Sequence, residues 1–152
     1  MGGKLKERMG MKGILVLEVR DRHGKLKEKR VYVNVITNVG KADVAGLING
    51  VVTTPFKYIA IGTGTTAESA SDTALENEVM RQEATTSRET TNVTNDTAVL
   101  QTTFDFTASY AISEAGIFNA STGGDMLARR TFPVLNLESG DSLTITWKIV
   151  VS

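Results

Sequence analysis

Six consecutive residues of this 152-residue chain have the spacing of a cofactor site. Gly62-Thr63-Gly64-Thr65-Thr66-Ala67 follows the apolar run Tyr58–Ile61 and fits G-x-G-x-x-G/A, the dinucleotide-binding fingerprint. In such a site the glycines let a helix N-terminus approach the pyrophosphate, so a helix must begin within the motif. Here the next helical signal is the later pair Thr73 and Glu76, spaced as a capping box. The Gly-Lys-Ser/Thr ending of a phosphate loop is also missing. The expectation is a loop whose Gly62 and Gly64 supply positive φ where a strand exits, with no cofactor bound.

The other reactive side chains are sparse. His23 is the one histidine and sits in Asp21-Arg22-His23-Gly24, a turn, where a general base would lack an orienting partner. With no cysteine, thiolate nucleophiles, thiolate metal sites and disulfides are excluded. Asp72, Glu76 and Glu78 cluster in sequence but match no calcium-loop pattern and read as surface helix charges. Glu114, in Ala111-Ile112-Ser113-Glu114-Ala115-Gly116-Ile117-Phe118, is surrounded by apolar residues. Alternation puts it on the face of Ile112 and Phe118, as a hydrogen-bonded inward or edge carboxylate with no second carboxylate at a glycosidase pairing. No catalytic, cofactor or metal residue is assigned. The sequons at Asn92, Asn95 and Asn119 read as turn chemistry.

Charge is balanced overall and uneven along the chain. Residues 1–30 carry ten Lys/Arg against Glu7, Glu18, Asp21 and Glu28, and the rest of the chain carries the compensating negative excess. A basic arm (1–13) on an acidic body (14–152, one domain) suits contact between copies or with an acidic partner. Nucleic acid fits poorly, because no aromatic residue lies in 1–31 to stack on bases. The apolar run Ile14–Leu17 is too short for a signal peptide or a membrane span, so the expectation is a soluble chain made in a cytoplasm.

The elements that must position these residues are mostly strands. Leu15, Leu17 and Val19 share one face of a strand over 14–20; Val31, Val33 and Val35 share one face of a second over 26–36. A short helix follows, capped by Thr37 or Asn38 and stopped by Asn49-Gly50. Further strands are expected over 56–61, 79–88, 97–107, 110–119, 126–136 and 142–151, with one or two helical turns from Thr73. The last is the clearest, with Leu143, Ile145, Trp147, Ile149 and Val151 on one face. Twenty threonines suit exposed strand faces. The fold class is mainly β: an antiparallel β-sandwich or jelly-roll-like domain with one or two short helices and a basic N-terminal arm.

Three segments carry a family resemblance: the N-terminal hairpin leading into 35–50 (VITNVGKADVAGLING), residues 58–79 (YIAIGTGTTAESASDTALENEV), and residues 112–152 (ISEAGIFNAS… to …ITWKIVVS). Together they resemble small virion proteins of tailed bacteriophages, in which an Ile-x-Glu-x-Gly-Ile/Leu-Phe strand, a Gly-rich turn, Leu-Leu-Ala-Arg and a closing Thr-rich strand recur. The resemblance implies a non-enzymatic protein that works by assembly, commonly as a homotrimer. Head-decoration (cement) and tail-fibre proteins both show it. The favoured expectation is a decoration protein on the outer capsid surface, bound to itself and to the major capsid protein, with no membrane partner. On the charge argument the arm residues Lys4, Leu5, Lys6, Arg8 and Lys12 are candidate partner contacts. Loops 62–71 and 89–97, with Thr63, Thr65, Thr66, Asn92 and Asn95, are candidates for the interface or a distal tip. The alternative is a tail-fibre or tail-tip module reading a host surface through Tyr110 or the 85–97 tip.

Overall fold

The computed structural model describes residues 10–152. Two antiparallel sheets pack face to face. The larger has the order β2-β1-β9-β6-β5, from β1 (Met11–Arg20), β2 (Leu26–Asn34), β5 (Thr85–Glu89), β6 (Thr97–Asp105) and β9 (Ser142–Val151). The smaller has the order β4-β3-β7-β8, from β3 (Tyr58–Gly62), β4 (Glu78–Glu83), β7 (Tyr110–Phe118) and β8 (Met126–Leu137). Helix α1 (Asn38–Asn49) links β2 to β3 and packs on β8. The expected sandwich is therefore present, with one helix.

Period-two alternation builds the core. Leu15, Leu17 and Val19 of β1 and Leu143, Ile145, Trp147 and Ile149 of β9 point inward against Ile59, Ile61, Ala115 and Ile117 of the smaller sheet. Val151, expected on that face, is exposed at the strand end, and Val150 is buried instead. The Trp147 indole Nε1 donates to Asn34 Oδ1 at 3.1 Å, which meets the need of a buried N–H for an acceptor. Tyr32 stacks on Phe132 with ring centroids 5.8 Å apart. The inward face of β2 is thus its polar and aromatic one, and its valines point out.

Other expectations need correcting. The strand expected over 79–88 is two strands in different sheets, β4 and β5, joined at buried Ala84, whose N–H donates to Lys57 O. Thr73–Glu76 forms bends and irregular chain, not a helix. Of the two possible caps for α1, Thr37 is the one used: its Oγ1 accepts from Gly40 N at 2.9 Å and donates to Met126 O at 2.6 Å. Strand β1 begins at Met11, so Lys12 belongs to the sheet opposite Val150 and not to an arm. Lys4, Leu5, Lys6 and Arg8 lie outside the described residues. Gly10 and Ser152 exchange two backbone hydrogen bonds, which brings the described chain ends together beside β1 and β9.

Candidate functional site

Both sheets have apolar residues on their outer faces, and the molecule treats the two differently. On the smaller sheet, Tyr58, Ala60, Phe118 and Met126 form a second cluster around Leu75. Leu75 belongs to the long connection from Gly62 to Glu78, which folds back over this face. The Arg81 guanidinium also lies over the Phe118 ring, 3.7 Å from its centroid.

Glu114 holds that connection down. Its side chain is fully buried. Oε2 accepts from Gly64 N at 2.8 Å and Asn77 N at 2.7 Å. Oε1 accepts from Glu76 N at 2.9 Å and Arg129 Nε at 3.0 Å. The neighbouring Ser113 Oγ donates to Gly64 O at 2.6 Å, so adjacent β7 residues grip both polar groups of Gly64. The remaining Arg129 nitrogens reach Asp72 Oδ2 at 3.0 Å and Thr66 O at 2.9 Å. Burial pulls the Arg129 guanidinium down, but its bonds to Glu114 and Asp72 outweigh that and raise it overall. A buried ion pair survives when its spare lone pairs and protons are satisfied, as they are here. The Glu114 carboxylate is committed to four donors and serves as a structural anchor.

Glu114 is buried and hydrogen-bonded as expected, but it shares the outer face of Phe118 and not the face of Ile112. Pairing slips between Ile112 and Glu114, where Phe132–Val134 of β8 lie opposite Ser113 alone. Alternation breaks there. Ile112 joins the inter-sheet core with Ala115 and Ile117, whereas Glu114 meets the loop on the outer side. Pro133 sits in this irregularity on an edge strand, where its missing N–H is tolerated.

The glycines of the fingerprint are explained by the same anchor. Neither Gly62 nor Gly64 has positive φ, contrary to expectation. A Cβ on Gly62 would lie 2.6 Å from Glu114 Oε2, and one on Gly64 2.5 Å from the same atom. They are glycines because a carboxylate and its loop approach too closely for a side chain. The acidic trio is likewise engaged one by one, and not as helix charges. Asp72 pairs with Arg129, and Glu78 pairs with Arg81. Glu76 accepts from Thr66 Oγ1, Thr66 N and Thr65 N, bonds that hold its carboxyl below the usual range.

The other expected loop residues lie elsewhere. Thr65 and Thr66 are exposed on the strap, and Thr63 is half-buried with its Oγ1 accepting from Asn77 Nδ2. Asn92 and Asn95 are exposed in the turn between β5 and β6 of the other sheet, so the two sets do not form one site. Asp96 organises that turn by accepting from the backbone of Thr91, Asn92 and Val93, which drives its carboxyl well below the usual range. Tyr110 is no free platform: it is half-buried, its ring tilted on Phe106 at 5.6 Å. His23 is exposed in its turn, its backbone N–H donating to Asp21 Oδ1.

No family model, curated protein or solved structure matches this chain. Function therefore has to be read from the surfaces themselves.

The outer face of the larger sheet has two halves. Across β9, β6 and β5 it is polar and internally bonded: Gln101 Nε2 donates to Thr146 Oγ1, the Thr103 and Thr144 hydroxyls are 2.8 Å apart, and Lys148 pairs with Glu89. Across β1 and β2 it carries an apolar patch, followed along the strands by the cross-strand pair Glu18 and Lys29. Val31 and Val33 are 57% and 53% exposed, and Val35 just past the strand is 69% exposed. Opposite them in register stand Ile14 (Val33) and Val16 (Val31), both half-buried. The adjoining strand edge is blunted. Arg30 donates to Pro133 O and Val134 O of β8, and Arg130 donates to Val33 O. This side offers a partner an apolar patch beside an edge whose carbonyls are partly engaged by arginines.

Proposed function

We propose that this chain is a structural protein of a tailed-phage virion, a head-decoration protein that assembles with copies of itself and seats on the capsid surface. The observation that carries the reading is the apolar outer face of the β1–β2 hairpin, Ile14, Val16, Val31, Val33 and Val35. Contiguous apolar surface of this kind is characteristic of protein contacts. The residues that bear the virion-protein resemblance are also those that build the scaffold: Ile112–Phe118 lies in β7, with Glu114 as its anchor, and 126–151 supplies β8 and β9. In this reading the hairpin faces bury one another around a closed symmetric ring, with a trimer as the expected state. Contact with the major capsid protein then repeats over the lattice, so weak single sites sum to a strong hold on the shell.

The deciding experiment is incubation of the purified protein with undecorated phage heads, read by negative-stain imaging, alongside the mass of the free protein from light scattering. The proposal expects a defined oligomer and decorated heads. It expects Val31→Glu combined with Val33→Glu to be monomeric and to bind heads weakly. A monomeric parent protein that leaves heads bare would refute it.

A second reading, a tail-tip module that meets a host surface, draws on the Asp96-ordered turn, where Val93 is 68% exposed between Asn92 and Asn95. Retention of the purified protein on host cells, lost on replacing Asn92 and Val93, would favour it.

A further inference from the structure

We infer that Asp43 and Asp125 form a binding site for a hard divalent cation of the calcium class, at the seam where α1 meets the start of β8. Asp43 lies on the inward side of α1 and is only 9% exposed, and its Oδ2 is buried with no hydrogen-bond donor. The Asp125 carboxylate, at the end of the 119–125 turn, lies within hydrogen-bonding reach of it. Among the described residues, Asp125 is the only charged group that bears on Asp43.

The contrast with the other buried carboxylates is sharp. Glu114 has Arg129 and three backbone amides. Asp141 has the Lys27 ammonium at 2.9 Å and the Glu138 amide. At the Asp43 seam two acids face each other, and one buried oxygen lacks a donor. Such a pair needs positive charge between its members, from a proton or a cation. Contact with Asp125, then burial, pushes the Asp43 carboxyl above its ordinary value.

The surroundings favour a metal ion over a proton. Both carboxylates have fixed origins: Asp43 is on a capped helix, and the Asp125 backbone is pinned to Asn119, whose Oδ1 accepts from Asp125 N at 2.8 Å. Asp125 is half-buried, which leaves a side open to solvent. A cation can sit on that open side, with its own waters completing the shell. The oxygen-only donors suit calcium or magnesium rather than a transition metal. With two protein ligands the affinity should be in the weak range, a Kd of about 10⁻⁴–10⁻³ M.

The test is independent of any role in a virion. The full-length protein is stripped with EDTA and titrated with CaCl₂ at neutral pH, following thermal unfolding and calorimetric heats, with MgCl₂ for comparison. The expected result is a saturable rise in Tm of roughly 3–6 °C near saturation, by mass action on the folded state. Asp43→Asn and Asp125→Asn should each abolish it. The latter alters a half-buried side chain and guards against loss of fold, checked by far-UV circular dichroism. A flat response of the parent protein, or a response that both variants retain, would overturn the site. So would a flat response with Asp43→Asn melting higher than the parent, which would assign a shared proton instead.

Discussion

The outer faces of the two sheets present the same problem and receive opposite treatments. The smaller sheet exposes Ala60, Phe118 and Met126 and covers them with its own chain, the Gly62–Glu78 strap anchored by Leu75 and Glu114. The larger sheet leaves Val31, Val33 and Val35 bare on its β1–β2 half. A cover supplied within the chain has to be bolted down by buried polar bonds, because a strap carries little apolar area of its own. A cover supplied by another copy needs only a flat apolar face and a blunted edge. Side-chain chemistry therefore distinguishes the closed face from the open one.

The largest effect that would break this contrast is at the bolt. Glu114→Ala strands a buried Arg129 and three backbone donors, and should cost roughly 3–5 kcal/mol in urea unfolding. A cost below about 1 kcal/mol would mean the strap is held by Leu75 alone. Next comes Gly64→Ala, whose Cβ would press on Glu114 Oε2. A loss of roughly 1–3 kcal/mol is expected, as for overpacking elsewhere. If it were neutral, the close approach would not be what requires glycine there.

A smaller effect follows from pH. Glu76 is depressed below its ordinary 4.5 by the Thr66 and Thr65 bonds, so its contribution is complete above that value and is lost as pH falls through the lower folded value. Hydrogen exchange at the Thr65 and Thr66 amides should accelerate over that acid window, while the β2 amides show no matching step. The smallest effect on stability belongs to the open face. Val31→Thr with Val33→Thr should stay within about 0.5 kcal/mol for the isolated subunit while weakening self-association in sedimentation. A large destabilisation would mean these valines already support the monomer.

Much of this contrast could be read from the sequence, and the limits have physical causes. Most strand positions, the inward faces of β1 and β9 and the shared face of Glu114 and Phe118 follow from period-two patterning. The donors to Glu114 do not, because three arrive from 37 to 50 residues away on a strap with no periodicity and the fourth, Arg129, from the neighbouring strand β8. Gly62 and Gly64 stood out in the sequence, yet the reason for them is a long-range approach that no local rule encodes. On β2 the shared face of Val31, Val33 and Val35 was evident, but its direction depended on Trp147 needing Asn34 and on Tyr32 stacking with Phe132. The Thr73–Glu76 capping box failed because Glu76 finds its amides at Thr65 and Thr66 instead.

The paired ends at Gly10 and Ser152 have a mechanical consequence. β1 and β9 are antiparallel neighbours whose described ends leave at the same corner, so tension drawn between them peels the ladder open one rung at a time. Load entering through the broad faces of the sandwich would instead be shared by many rungs in parallel. A molecule built this way tolerates pressure and shear across its body while yielding readily to a tug on its two tails.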